Sequence, residues 1–347
     1  MTSHPFGTGW RFGPAPAGSS RPEFDDSGFT EVTLPHTVVP LSWRDWDPSA
    51  WERVWMYRKR FDAPPGAEHR RVFLDFAAAM TRATVTLNGA EVADHLGGYL
   101  PFSVEVSSLL RARGNILAVR LDSTFNLNVP PDRPAPEPAT SVDYWQPGGI
   151  YRDVRLRVVP RAFLADVFAK PVSVLDPAGR EVVVQATVDA AAGLVGPVHV
   201  AVRLLGDGGE IAATRVPVEI AGPGQVTVTA TLSGLGGIRL WDIDDPALYT
   251  VAAELRADGE RVDEHRVRTG FREARFALGG FYLNGRRIKL FGANRHQFFP
   301  FAGGAMPARA PGSTRPPTTP RSIPARTSSR TPWTTRGRRP ARWPGCA

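Results

Sequence analysis

Between Val32 and Gly270 apolar and polar residues alternate with a period of two, in short segments set apart by Gly, Pro, Asn and Asp. That pattern predicts half-buried strands rather than helices, and no stretch with a period near 3.6 competes with it. In the first 158 residues the segments are VTLPHT (Val32 to Thr37), the alternation from Met56 to Phe61, RVFLDFAAAM, ATVTLNGAEVADH, GGYLPFSVEV, NILAVRLD and YRDVRLRVV. Residues 1–158 therefore read as an antiparallel β-sandwich, with an Asn88-Gly89 hairpin turn in the middle. Residues 162–270 repeat the theme in VVVQATVDA, VHVAVRLL, QVTVTATL, YTVAAEL and RVDEHRVRTGF, at intervals that suit a seven-stranded immunoglobulin-like sandwich. A short linker is expected at Val159 to Arg161, and the fold class is all-β.

The stretch FYLNGRRIKLFGANRHQFFPF, Phe281 to Phe301, differs in kind. Apolar residues flank Asn284-Gly285, a second tight-turn signal, and a short strand through Ile288 and Leu290 then runs into Gly292, Asn294, Arg295 and His296. A strand that ends in polar side chains is a natural place for a binding site. An isolated histidine there is more commonly a hydrogen-bonded strand-end residue.

Composition narrows the class. The 347 residues are 42% hydrophobic, with nine Trp and eighteen Phe, ample for two or three buried cores. No 18-residue apolar run marks a membrane span, and the first residues carry neither the basic nor the apolar region of a secretory signal. Cys346 is the single cysteine, so no intramolecular disulfide forms and a reducing, cytoplasmic setting is expected. The formal charge of +8 suggests nucleic acid, but residues 303–347 hold nine Arg and no acid; removing them leaves −1 for the rest. Neither a nucleic-acid nor a membrane partner is expected.

Those last 45 residues contain nine Pro, no Leu and no Val, and cannot form a hydrophobic face. They read as a disordered tail. One reading is a basic arm for an anionic partner, and salt-sensitive binding lost on deleting the tail would mark it. The preferred reading is the product of a shifted frame in a GC-rich gene, because the composition breaks just past Gly303 to Pro307.

Two sets of residues resemble glycoside hydrolase family 2, the β-galactosidases and β-glucuronidases. One is Asn284-Gly285 followed by Gly292, Asn294, Arg295 and His296, which resembles the hairpin and first strand of the family's catalytic barrel. The other is the ordered series Leu34-Pro35-His36-Thr37, Tyr57 with Phe61, Leu87-Asn88-Gly89, Gly97-Gly98-Tyr99, Asn115 with Leu117-Ala118-Val119, and Gly148 to Val154. It resembles the sugar-binding jelly roll that opens these enzymes. Trp241, Pro246, Leu248 and Tyr249 resemble a packing segment of the second domain. Gln297 stands where many members have Glu, closer to the bacterial β-galactosidases.

The resemblance implies a jelly roll at 1–158, an immunoglobulin-like domain at 162–270, the start of a (β/α)8 barrel at 271–302 and the tail at 303–347. It implies hydrolysis of a terminal β-linked sugar with retention, a β-galactoside first and a β-glucuronide second. Retention needs two carboxyl groups about 5–5.5 Å apart. Both are downstream glutamates in the family, whereas Glu273 is the last carboxylate side chain here, so this polypeptide alone is expected to be inactive. The substrate contacts implied are Asp143, Asn294 and His296, with Asp143 also reaching a monovalent cation. An intact member would take Mg2+ and Na+ and form homo-oligomers; no cofactor is expected in this chain. Asp143 reads equally well as a turn cap, and Trp145 reads as core filling before it reads as a sugar-stacking surface. A rival of another class is a non-catalytic carbohydrate-binding sandwich, which would need Trp43, Trp46 and Trp51 to line an exposed strip.

Overall fold

A computed structural model of the chain describes residues 1–39, 50–124, 148–194, 197–293 and 302–305. Every named element is a β-strand and every pairing is antiparallel. The first sandwich is built from β1 (Thr2–Pro5), β2 (Trp10–Pro14), β3 (Thr30–Val32), β4 (Val54–Phe61), β5 (Arg71–Phe76), β6 (Arg82–Leu87), β7 (Ala90–Leu96), β8 (Phe102–Glu105), β9 (Asn115–Asp122) and β10 (Val154–Val159). A four-stranded sheet, β1-β10-β5-β8, faces a six-stranded one, β3-β2-β4-β9-β6-β7. Alternate residues of each strand, such as Val72, Leu74 and Phe76 on β5 and Leu117, Val119 and Leu121 on β9, fill the space between them.

The Asn88-Gly89 turn forms as its sequence requires, with both residues at positive φ (52° and 89°). VTLPHT, expected as a strand through Thr37, is not one. Strand β3 ends at Val32, and the next residues make single bonds to separate partners: the Leu34 N–H to the Gly7 carbonyl and the His36 N–H to the Ile150 carbonyl.

Strand β2 had no clear sequence signal, because Gly13 and Pro14 dilute its alternation. Gly13 is required by packing: a Cβ there would lie 2.6 Å from the Phe29 ring. The segment leading to Phe29 covers the outer face of the six-stranded sheet, so Met56, Tyr57 and Arg58 on β4 are all buried instead of alternating. The Arg58 guanidinium, fully enclosed, donates to Asp26 at 2.8 Å and to the carbonyls of Ser19 and Arg21.

Only Pro160 and Arg161 separate β10 from β11 (Ala162–Val172). The second sandwich continues with β12 (Glu181–Ala190), β13 (Val198–Gly206), β14 (Gly209–Pro217), β15 (Gly224–Leu232), β16 (Tyr249–Ala257) and β17 (Glu260–Thr269). Its seven strands form sheets β11-β12-β15 and β14-β13-β16-β17 around a Val- and Leu-rich core. The two sandwiches are clamped at their junction. Arg71 reaches Glu105 at 2.7 Å and also Asp189 of the second sandwich. Arg71 and Arg157 both lie over the rings of Phe73 and Phe163, which meet edge to face at 5.7 Å.

A third sheet follows: β18 (Ala274–Ala277), β19 (Gly280–Leu283) and β20 (Arg286–Ile288). Asn284 and Gly285 turn between the last two at φ 50° and 76°. The Asn284 side chain accepts from the Glu273 N–H at 3.0 Å and donates to the Trp241 carbonyl at 2.9 Å, tying the hairpin to the second sandwich.

Candidate functional site

Asp143 and Trp145 fall within residues 125–147, and Asn294 and His296 within 294–301; all four lie outside the described residues, as do Trp43 and Trp46. Trp51 is described, and it is buried at 2% exposure in the first core. A planar strip that includes Trp51 is therefore not formed. Asp153 meets Arg155 at 3.4 Å, while Arg152 lies over the Tyr151 ring.

What the structure does show is where the two stretches carrying the predicted residues are held. Asp143 precedes Gly148 by five positions and His296 precedes Ala302 by six, and Gly148 and Ala302 are anchored in one cluster on the first sandwich. Gly149 and Met80 exchange two backbone hydrogen bonds, at 2.9 and 3.2 Å. The Val38 N–H donates to the Gly148 carbonyl, and the Ser123 hydroxyl to that of Met80. There is no room for side chains at the glycines. A Cβ on Gly148 would lie 1.7 Å from the Ser123 Oγ, and one on Gly149, whose φ is 147°, would lie 2.3 Å from the His36 carbonyl oxygen.

The second stretch returns to the same place. The Thr37 hydroxyl donates to the Ala302 carbonyl. Ala305 is 3% exposed among Ala78, Met80 and Tyr151, and Gly304 lies against the Tyr151 ring. The Tyr151 hydroxyl donates to the Gly98 carbonyl at 2.6 Å, and Gly98 rests directly on the Met80 sulfur. The sequence singled out LPHT and GGIYRDV only as strand and turn residues of a family-like series. Their role in gripping the segment after His296 leaves no local signal, since the partner lies far along the chain.

The titratable groups of this cluster are locked rather than reactive. Burial pushes His36 down to about 4, so its ring is neutral, and its Nδ1 sits 2.8 Å from the Tyr57 hydroxyl. Burial raises the Tyr57 hydroxyl far above its usual value and keeps it protonated. Such a pair can orient chain segments but offers neither a general acid nor a nucleophile. Elsewhere a shallow cavity of about 450 Å³ is lined by Asp75, Phe76, Ala77, Phe102, Asp153 and Arg155. Its Asp75 already receives Arg157 at 2.7 Å and the Ser103 hydroxyl at 2.5 Å.

Comparison with known proteins matches these two sandwiches in order. Residues 41–148 fit the model of the glycosyl hydrolase 2 galactose-binding domain-like family, and residues 162–272 fit that of the glycosyl hydrolases family 2. The chain belongs to glycoside hydrolase family 2. Among curated relatives, a β-galactosidase of Thermoanaerobacter pseudethanolicus is 29% identical over 83% of this chain and 37% of its own length. A putative β-glucuronidase of Formosa agariphila is 28% identical over 81% of this chain and 33% of its own. Among solved structures, a putative β-galactosidase from Bacteroides fragilis superposes with a TM-score of 0.76 at 27% identity, covering 88% of this chain and 46% of that one. The chain thus spans less than half the length of these family 2 relatives. Strands β1 to β3 lie before the first matched residue yet belong to the same sandwich, with Trp10 at its core.

Proposed function

We propose that this chain builds the non-catalytic side of the sugar site in a retaining β-galactosidase of family 2. The observation that carries the reading is the tandem of two family 2 domains whose first sandwich grips the segment just after His296, with β-galactosidases among the relatives. In this reading Asp143 accepts charge-assisted hydrogen bonds from adjacent sugar hydroxyls and helps hold a monovalent cation, Na+ being the family's choice. Asn294 and His296 approach from the other stretch, and Trp145 flanks the sugar. The acid/base and nucleophile come from chain that the longer relatives carry downstream, since no carboxylate side chain follows Glu273 here.

A second reading, a β-glucuronidase, is favoured by relatives of that name at similar identity. The test is a hybrid in which residues 1–307 replace the corresponding part of the Thermoanaerobacter β-galactosidase. Turnover of aryl β-galactosides over aryl β-glucuronides is expected, with KM raised by D143A. A preference for glucuronides, or an unchanged KM in D143A, overturns the reading.

A further inference from the structure

The second sandwich has four sheet edges, β11 and β15 in one sheet and β14 and β17 in the other. An edge strand carries a row of N–H and C=O groups with no strand to pair with, and proteins ordinarily blunt it with charge, proline or a bulge. Three of these edges are blunted. Strand β11 has Lys170, Pro171 and a bulge between Leu164 and Asp166. Strand β14 has Glu210, Arg215, Pro217 and a bulge beside Leu205. Strand β17 has Arg261, Glu264, Arg266 and Arg268, with a bulge beside Arg256 of its neighbour.

Strand β15, GQVTVTATL, has none of these devices. Its register with β12 runs unbroken from Gly224 opposite Ala190 to Leu232 opposite Val182, and among the described residues β12 is the one strand it pairs with. Thr227, Thr229 and Thr231 stand exposed on its outer face. On its inner face Val226 and Val228 are only half-buried, although the residues opposite them on β12, Val188 and Ala186, are enclosed. The core is open along this edge.

We propose that β15 is an interface for a second copy of this chain, paired antiparallel with the same strand about a two-fold axis. The sheets β11-β12-β15 of both copies then form one continuous sheet. The strand is complementary to itself in that arrangement. With Val228 on the axis all nine residues find a partner: Thr227 meets Thr229 of the second copy, Gln225 meets Thr231 and Val226 meets Ala230. An axis normal to the sheet keeps the two faces in common, so the apolar pairs lie inward and the polar pairs outward. Threonine pairs of this kind stabilise antiparallel strands, and the sandwich already holds one, with the Thr187 and Thr227 hydroxyls 2.9 Å apart across β12 and β15. No charged residue lies on β15, and outside its tail the chain is nearly neutral, so like charge does not oppose the approach. A foreign extended peptide would satisfy the backbone alone; the self-matching register selects a second copy. Each copy uses up one edge, so assembly stops at two.

The test runs the full chain in sedimentation velocity over a range of concentrations, and a dimer is expected. T227K with T229K sets lysine against lysine twice across the axis and should weaken association about tenfold. T227K with T229E sets opposite charges there instead and should restore it. Both positions are exposed, so circular dichroism should stay the same in either variant. The axis itself is read by cross-linking in a C346S background, which has no other cysteine. Residues directly opposite in an antiparallel pair lie about 4.5–5.5 Å apart at Cα, within disulfide reach. V228C should therefore link two chains under mild oxidation, and V226C, which faces Ala230, should not. A monomer at every concentration, growth beyond two copies, association indifferent to T227K with T229K, no restoration by T227K with T229E, or cross-linking through V226C in place of V228C overturns the proposal.

Discussion

The Thr37 hydroxyl donates a hydrogen bond to the Ala302 carbonyl across 265 positions of sequence. It joins the first sandwich directly to the segment that follows the Asn-Arg-His motif, without passing through the second sandwich. Thr37→Val keeps the shape and removes the donor, so the cost should be about 1 kcal/mol. Hydrogen exchange at residues 302–305 should quicken while exchange in the second sandwich stays unchanged. Equal exchange at 302–305 in both proteins would show that the bond does not hold the segment.

Arg58 is the largest polar risk in the first core. Replacing it with Met removes the 2.8 Å donor to Asp26, leaving that carboxylate only the longer contacts from Arg60, and leaves the carbonyls of Ser19 and Arg21 without this donor, an expected loss of about 3–5 kcal/mol in denaturant unfolding. Burial works against ionisation of Asp26, but the Arg58 hydrogen bond and the nearby Arg60 outweigh it and hold the carboxyl below its ordinary 3.8. Its contribution to stability is therefore complete above that value and lost as pH falls through the lower, folded-state value. R58M should flatten this acid limb of the stability curve; an unchanged limb would count against the pairing.

His36 acts with the opposite proton preference to a surface histidine. Its folded value of about 4 lies below the ordinary 6.5, so the unfolded chain binds the proton more tightly between those limits. Stability should decline as pH falls from 6.5 toward 4, by at most about 3 kcal/mol, and level off below. His36→Gln should remove the slope over that window in urea titrations. A slope that persists would locate the titrating group elsewhere.

Arg71 couples the sandwiches. Arg71→Ala removes the reach to Asp189 and one of the two cations over Phe73 and Phe163. Differential scanning calorimetry should give one transition for the unaltered protein and two for the variant. A single transition in the variant would mean that apolar contact at Phe163 suffices for coupling.

Gly149 has no tolerance for a side chain. Gly149→Ala should cost about 1–3 kcal/mol by overpacking against the His36 carbonyl. Gly66, also at positive φ but with nothing within 4 Å of a Cβ, should be less sensitive. Comparable melting temperatures for the two variants would remove steric crowding as the cause.

The sandwiches were legible because burying one face of a sheet imposes a period of two, as in Val182, Val184, Ala186 and Val188, and because Asn-Gly demands left-handed backbone at Asn88 and Asn284. Legibility failed where a distant segment overrides that period. Arg58 looks solvent-facing until the segment before Phe29 is laid over it, and β2 looks like a loop until Phe29 fills the place of a side chain at Gly13. The site was legible only as a family pattern. His36, Thr37 and Tyr151 act through partners brought by the fold, and Asp143, Trp145, Asn294 and His296 lie outside the described residues.

Asn284 serves the hairpin twice, through its left-handed backbone and through an amide that faces the Glu273 N–H with its oxygen and the Trp241 carbonyl with its nitrogen. Asp would satisfy the turn equally well, but a carboxylate has no hydrogen to offer Trp241. Asn-Gly is also the pair whose side chain is least hindered from closing on the following N–H and losing its amide nitrogen. Ageing at this bond, which expels ammonia to form a cyclic imide and then takes up water to give Asp or isoaspartate, would therefore remove the donor to Trp241 and loosen the hairpin from the second sandwich. Peptide mapping of stored protein, read alongside hydrogen exchange in β19 and β20, would date that loosening.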